Sequence, residues 1–264
     1  MPHSIINFTL FLADNTLILS QRNAAWCGHG PVLEQDIALT NISLDLLGQS
    51  RNCYQYASSC INKYVKENQK EFPQQWLNLN NEADENTLAY MRNEREFKNL
   101  LITEQPNGDW GQTVLRQYLF SQFQILYYEY IVNHLQNDSL TAITSKALKE
   151  IKYHVRWSSD WVIRLGDGTE ESKQRMQAAL ENLWCYTGEM FMPVPFETAM
   201  GIELESLQQE WLKHVTKTLS EATLLMPEKT FMHQGGKTGI HTEEMGFILS
   251  EMQYLPRTYP GAEW

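Results

Sequence analysis

The chain has no run of about 18 apolar residues, so no membrane-spanning helix is expected. Positive charge is scarce: 21 Lys and Arg stand against 32 Asp and Glu, a formal net charge of 21 − 32 = −11. A net anion is not drawn to phosphate backbones or acidic headgroups, so neither nucleic acid nor a membrane surface is an expected partner. The four cysteines, Cys27, Cys53, Cys60 and Cys185, include no C-x-x-C pair, which argues against a zinc knuckle or a redox motif. Cys53 and Cys60 share a helix face but lie too far apart along it to bridge, so free thiols are expected. The start, MPHSIINFTLFLADNTLILSQ, lacks the basic segment and small-residue cleavage site of a signal peptide, and Asp14 and Asn15 interrupt its apolar character. A soluble, cytoplasmic protein is the expectation. No alternating strand pattern and no internal repeat appear, which leaves an all-α chain.

What is present is a large supply of core. Apolar residues make up 42% of 264, with eight Trp, twelve Tyr and ten Met to fill an interior. The most informative stretch is Ser139 to Gly166. Leu140, Leu148, Ile151, Val155 and Val162, with Ile143, Ala147, Trp157 and Trp161, recur at spacings of three and four, the mark of a long amphipathic helix. Ser139 is the expected N-cap and Gly166 the expected left-handed C-terminal residue. The apolar stripe passes through Glu150 and His154, a carboxylate and an imidazole one turn apart.

Three further long helices are expected at residues 7–27, 34–62 and 112–136, with the fourth at 139–166. Cys27-Gly28-His29-Gly30-Pro31 ends the first, and Glu34 and Asp36 suit the dipole at the start of the second. Lys63 to Glu85 is polar, carries Pro73 and shows no period, so it reads as a connection. Shorter helices are expected at 86–101, 169–191 (capped by Thr169), 204–222 and 242–255. Two antiparallel hairpins joined by a long crossover make a ferritin-like four-helix bundle with additional C-terminal helices, in a single domain spanning 1–264.

Such a bundle can hold two irons when two helices each give a Glu and two others each give Glu-x-x-His. Here the fourth helix has Glu150 and His154 at i, i+4, and Ile151 fills the position that would complete the motif. The second helix has Asp45-Leu-Leu-Gly48, with Gly48 where a ligand histidine would stand. Asp14 and Gln21 are the mid-helix candidates in the first helix, and Glu129 stands out in the third. Asp45, Glu129, Glu150 and His154 are therefore candidates for vestigial ligand positions, with no metal expected in this chain. A buried Asp45 or Glu150 would need a partner such as Arg51, Arg22, Lys146 or His154. A di-iron oxidase using Glu150, His154, Glu129 and Asp45 is the competing reading. Gly235-Gly236-Lys237-Thr238-Gly239 lacks the earlier glycine of a phosphate loop, since Phe231 occupies that position; Gly235, Gly236 and Lys237 read instead as an interface loop. A third reading has loop basics such as Lys237 holding CoA. His241-Thr242-Glu243-Glu244 reads as a helix start.

Four stretches together carry a resemblance. CGHGPVLEQDIALTNISLDLLGQSRN (Cys27–Asn52), NEREFKNLLITEQPNGDW (Asn93–Trp110), KEIKYHVRWSSDWVIRLGDGTEESKQRMQAALENLW (Lys149–Trp184) and GGKTGIHTEEMGFILSEMQYLPR (Gly235–Arg257) resemble the C-subunit family of the phenylacetyl-CoA 1,2-epoxidase (ring-hydroxylating) complexes. The likeness runs in order over nearly the whole chain. It implies a ferritin-like, non-catalytic structural subunit with no cofactor of its own and no catalytic residues. Its implied partners are the di-iron catalytic A subunit and further members of an oxygenase that epoxidises the ring of phenylacetyl-CoA in phenylacetate catabolism. Electrons would reach that complex from NADPH through a reductase.

Overall fold

A computed structural model describes residues 2–68, 72–78, 80–228, 231–260 and 262. Among them eleven α-helices and four 3-10 turns occur, with no strand. The helices are α1 (Pro2–Ala24), α2 (Leu33–Asn68), α3 (Glu85–Tyr90), α4 (Leu101–Glu104), α5 (Trp110–His134), α6 (Asp138–Gly166), α7 (Glu170–Trp184), α8 (Pro195–Ala199), α9 (Leu204–Glu221), α10 (Glu243–Met252) and α11 (Tyr254–Thr258). The fold is the ferritin-like all-α bundle, with α1/α2 and α5/α6 as its two hairpins.

The inner pair is α1 and α5. Both are buried round most of their circumference, including polar side chains such as Asp14, Asn15, Arg116 and Gln117, as expected of helices covered on several sides. Phe8 and Phe11 of α1 pack on Tyr127 of α5, and Asn23 donates to the Gln117 amide oxygen at 2.7 Å. Ser20 and Ser43 each donate to the other's backbone carbonyl at 2.8 Å, which draws α1 close to α2. The amphipathic helices α2 and α6 lie outside. Gln35 of α2 accepts from the indoles of Trp157 and Trp161 at 3.0 and 2.7 Å, tying the start of α2 to the end of α6. Most of the remaining helices cover the inner pair: α4, α8 and α10 pack on α1, and α7 and α9 pack on α5, while α3 packs on α2.

Several local expectations change. The α6 cap is Asn137, whose side chain accepts from the Leu140 amide, rather than Ser139. Gly166 has no left-handed backbone; a Cβ there would sit 2.3 Å from the Ala222 carbonyl oxygen, so glycine is needed for the close approach of the segment after α9. Residues 86–101, expected as one helix, form α3, a 3-10 turn at Glu94–Glu96, and extended backbone leading into α4. The physical reason lies in α1. The amides of Lys98 and Leu100 donate to Asp14 and Asn15 at 2.8 and 2.9 Å, so side chains of α1 satisfy backbone groups that a helix would have satisfied internally. Residues 169–191 likewise break: Thr169 caps α7 by accepting from the Ser172 amide, but α7 ends at Trp184 and a 3-10 turn, Gly188–Phe191, follows. The second helix, expected to end at 62, runs on to Asn68, so the connection expected from Lys63 begins only after it; residues 69–71 and 79 lie outside the described residues.

Candidate functional site

The polar residues of α2 and α6 meet in a cleft of about 110 Å³ lined by Asp45, Gly48, Gln49, Asn52, Lys146 and Glu150, with Leu44, Ile143 and Ala147. His154, fully buried and outside that lining, places Nε2 3.1 Å from Asp45 Oδ2. Its other ring nitrogen, Nδ1, is buried and has no hydrogen-bond partner among the described residues. Facing a carboxylate, Nε2 is the donor and Asp45 the acceptor. Glu150 turns elsewhere: it accepts from the Gln49 amide at 2.9 Å, and Gln49 in turn accepts from Gln124 of α5 at 2.9 Å. Of the expected partners, only His154 serves. Arg51 pairs with Glu85, Arg22 binds the Glu104 carbonyl and Glu244, and Lys146 forms no ion pair among the described residues. Glu129 on α5 is half-buried and makes no hydrogen bond or ion pair to a described residue.

This donor set does not fit a di-iron centre. Ile151, at the position that would complete Glu-x-x-His154, is buried in the apolar core. The i, i+4 pair splits its allegiance, His154 to Asp45 and Glu150 to Gln49. Among the described residues no three His, Cys, Asp or Glu side chains converge as a shared metal would require. The cleft is a polar junction between helices.

Three ionic clusters that sequence reasoning did not assemble lie elsewhere in the interior. Asp14 pairs with Arg92, both fully buried; Asp14 also accepts from Tyr54 at 2.6 Å and from the Lys98 amide, while the guanidinium lies 4.1 Å from the Phe97 ring centroid. Burial and then Asp14 push the Tyr54 hydroxyl well above its ordinary range. Lys237, far from offering its ammonium to a partner or to CoA, is buried against Glu197 at 2.9 Å and donates to the carbonyls of Met190 and Met192 at 3.0 Å. Tyr127 donates to the same carboxylate at 2.9 Å. Gly236 is equally internal, since a Cβ there would meet the Asn99 carbonyl oxygen at 2.2 Å, and Gly235 donates its amide to Glu189 at 2.7 Å. What the loop exposes is Thr238 and Ile240. Third, His241, read as part of a helix start, is buried with Nδ1 3.3 Å from Glu104 Oε1 and Nε2 3.1 Å from the Phe97 carbonyl. Asp14 carried a sequence signal as a carboxylate in the middle of an apolar helix, and Lys237 and His241 stood in stretches read as a loop and a helix start; their partners Arg92, Glu197 and Glu104 lie far apart in the chain and carried none.

Comparison with known proteins supplies the remaining constraint. Residues 2–264 match the family described as "Phenylacetic acid catabolic protein". The chain is 42% identical over 262 residues to the C subunit of "1,2-phenylacetyl-CoA epoxidase" of Escherichia coli (strain K12), covering 97% of this chain and 98% of that protein. With a match over essentially its whole length, this chain belongs to the phenylacetic acid catabolic protein family.

Proposed function

We propose that this chain is the non-catalytic structural subunit of a cytoplasmic multicomponent oxygenase that epoxidises the aromatic ring of phenylacetyl-CoA, and that it stabilises the di-iron catalytic A subunit of that complex. The identity at nearly full length to the C subunit of an epoxidase supports membership of such a complex. The observation that carries the structural role is the state of the α2–α6 junction. Of the groups that would ligate iron, His154 is held by Asp45 and Glu150 by Gln49, while Ile151 stands in the core. In this reading the chemistry, the iron and the electrons from an NADPH-dependent reductase belong to other subunits. This chain contributes a rigid bundle whose interior is closed by hydrogen bonds and ion pairs.

The test is the iron content of the purified chain, alone and after co-expression with the catalytic subunit. A metal-free chain alone, and a complex whose iron scales with the catalytic subunit, are expected. About two irons bound by the isolated chain, lost on Glu150→Gln or His154→Ala while the helical signal survives, would replace this reading with a di-iron oxidase acting through Asp45, Glu129, Glu150 and His154.

A further inference from the structure

The last part of the chain is fastened differently from the rest. Helix α10 buries only Met245, Ile248 and Leu249, and α11 buries no residue. What holds residues 240–258 down is mainly polar, and most of it lands on one stretch, residues 91–104. His241 faces Glu104 and the Phe97 carbonyl, and Gln253 donates to the Arg92 carbonyl at 2.8 Å. Arg257 donates to the carbonyls of Arg92 and Met91 at 3.0 and 3.2 Å. One further tie, Arg22 to Glu244 at 2.6 Å, runs to α1. A segment that buries so little apolar surface opens at a smaller free-energy cost than the bundle beneath it.

The tie at His241 needs a proton. Neither its side chain nor that of Glu104 has any exposed surface. Nδ1 lies 3.3 Å from Glu104 Oε1, and Nε2 lies 3.1 Å from the Phe97 carbonyl oxygen. A backbone carbonyl only accepts, so Nε2 must carry a hydrogen. A neutral ring then has a bare lone pair on Nδ1, facing a carboxylate that also only accepts when ionised. The contact is attractive in two states alone: an imidazolium beside a carboxylate, or a neutral ring beside a protonated Glu104. Each holds one proton more than the neutral ring beside an ionised carboxylate. That third state sets two lone pairs against each other out of reach of water.

The surrounding groups favour keeping that proton. Burial opposes charge on the ring, but Glu104, the Phe97 carbonyl and Asp14 of α1 outweigh it and raise His241 above its ordinary value. Burial raises Glu104 too, against the pull of His241 and with the help of Glu189. Of the other charges near the pair, Arg22 binds the Glu104 carbonyl and Glu244, Arg92 neutralises Asp14, and Glu94 lies close to Gly246 of α10. Tyr186, which senses Glu104 and Glu244, is itself raised by burial and stays neutral. The closed pair therefore holds a proton that an open one releases above the ordinary histidine value of about 6.5. Beyond it the opening constant rises about tenfold per pH unit, until the pair's own higher value is passed.

A hinge lies just before this tie. Lys237 is pinned by Glu197 and by the carbonyls of Met190 and Met192, which fixes the loop up to that point. Gly239 follows with a left-handed backbone, φ +85°, and a Cβ there would run into the Arg95 carbonyl oxygen. The residue with the widest backbone freedom thus stands between a fixed anchor and the His241 tie. We propose that His241 and Glu104 form a proton-dependent latch. While they share a proton, residues 240–258 lie as a strap on residues 91–104; when it is lost, the strap swings out about Gly239 and the bundle stays folded. Opening uncovers Glu104 and the carbonyls of Phe97 and Arg92. The latch acts on a local equilibrium and does not depend on the reading of the chain as an oxygenase subunit.

The experiment is hydrogen exchange of the full chain, followed by mass spectrometry from about pH 6 to pH 9 and corrected for the intrinsic rate of each amide. Protection of the α10 and α11 amides is expected to fall about tenfold per pH unit above the ordinary histidine value, while α5 and α6 hold theirs. Glu104→Gln keeps the contact without the titrating proton, since its amide N–H donates to Nδ1. That variant is expected to keep the strap protected across the whole range. His241→Ala is expected to leave the strap about tenfold or more less protected at pH 6, and insensitive to pH. Circular dichroism shows that each variant is folded. Strap protection that does not change with pH in the unaltered chain overturns the latch. Loss of protection in α5 and α6 together with the strap overturns the hinge, because the molecule then opens as a whole. A pH dependence that survives in Glu104→Gln gives the proton to another group, Lys237 first, and overturns the proposal as well.

Discussion

At the scale of single residues, the interior depends on charges that have no route to water. Lys237 and Glu197 lie 40 positions apart and meet only because the loop after Gly235 folds back over α8. Burial pushes the Glu197 carboxyl up and the Lys237 ammonium down, each countered by the other. Lys237→Met leaves Glu197 uncompensated and is expected to cost about 3–5 kcal/mol, read as a lower urea midpoint. Adding Glu197→Gln to it should recover part of the loss, because the pair then carries no unpaired charge. The Glu104–His241 pair makes stability depend on pH. Burial, with Glu189 nearby, raises the Glu104 carboxyl; burial opposes the charged His241 ring, but the hydrogen bond and charge of Glu104 outweigh it and raise the ring above its ordinary value. Both shifts have the folded state holding protons that the unfolded chain has released. Stability is therefore full below the unfolded carboxyl value and falls as pH rises through the raised values of Glu104 and then His241. Urea midpoints measured from about pH 5 to pH 8 should decline, and Glu104→Gln should flatten that slope. A rise in midpoint over the same interval would contradict the sign.

At the scale of the elements, two glycines in long helices have opposite meanings. Gly166→Ala puts a Cβ 2.3 Å from the Ala222 carbonyl oxygen. The overpacking, about 1–3 kcal/mol, is expected to outweigh the gain of about 1 kcal/mol in helix propensity. Gly48→Ala meets nothing and should stabilise the isolated chain by about that same 1 kcal/mol, so thermal melting of the two variants should move in opposite directions. Sequence could not separate these cases. Gly166 stood where a left-handed cap belongs, and the contact that explains it comes from Ala222, beyond the end of α9. The long helices were legible because each must bury a continuous stripe, and period alone reports that. Residues 86–101 misled for the same reason: their apolar spacing suits a helix, but Asp14 and Asn15 of α1 take the amides that a helix would use. The Asp45–His154 contact was within reach of sequence, since both polar groups had to find partners on an apolar face. That Glu150 would choose Gln49, with Gln124 behind it, depends on the helix register and was not.

At the scale of the whole molecule, α1 and α5 are sheltered by accessory helices while α2 presents Leu33, Ile37, Leu44 and Leu47 to solvent, so the chain is closed on one side and open on the other. As a subunit of an oxygenase complex, the bundle should be coupled in stability to its partner. Anything that binds the folded state alone stabilises it by RT ln(1 + [L]/Kd), about 2.7 kcal/mol when the free partner is at 100 times Kd. For a chain of this size that corresponds to a rise of roughly 5–10 °C in melting temperature. The catalytic subunit at saturating concentration should produce that shift, followed through a probe specific to this chain. The shift should grow with the logarithm of partner concentration. A melting temperature that the catalytic subunit leaves unmoved would count against the subunit reading, since a partner that binds only the folded chain must raise it.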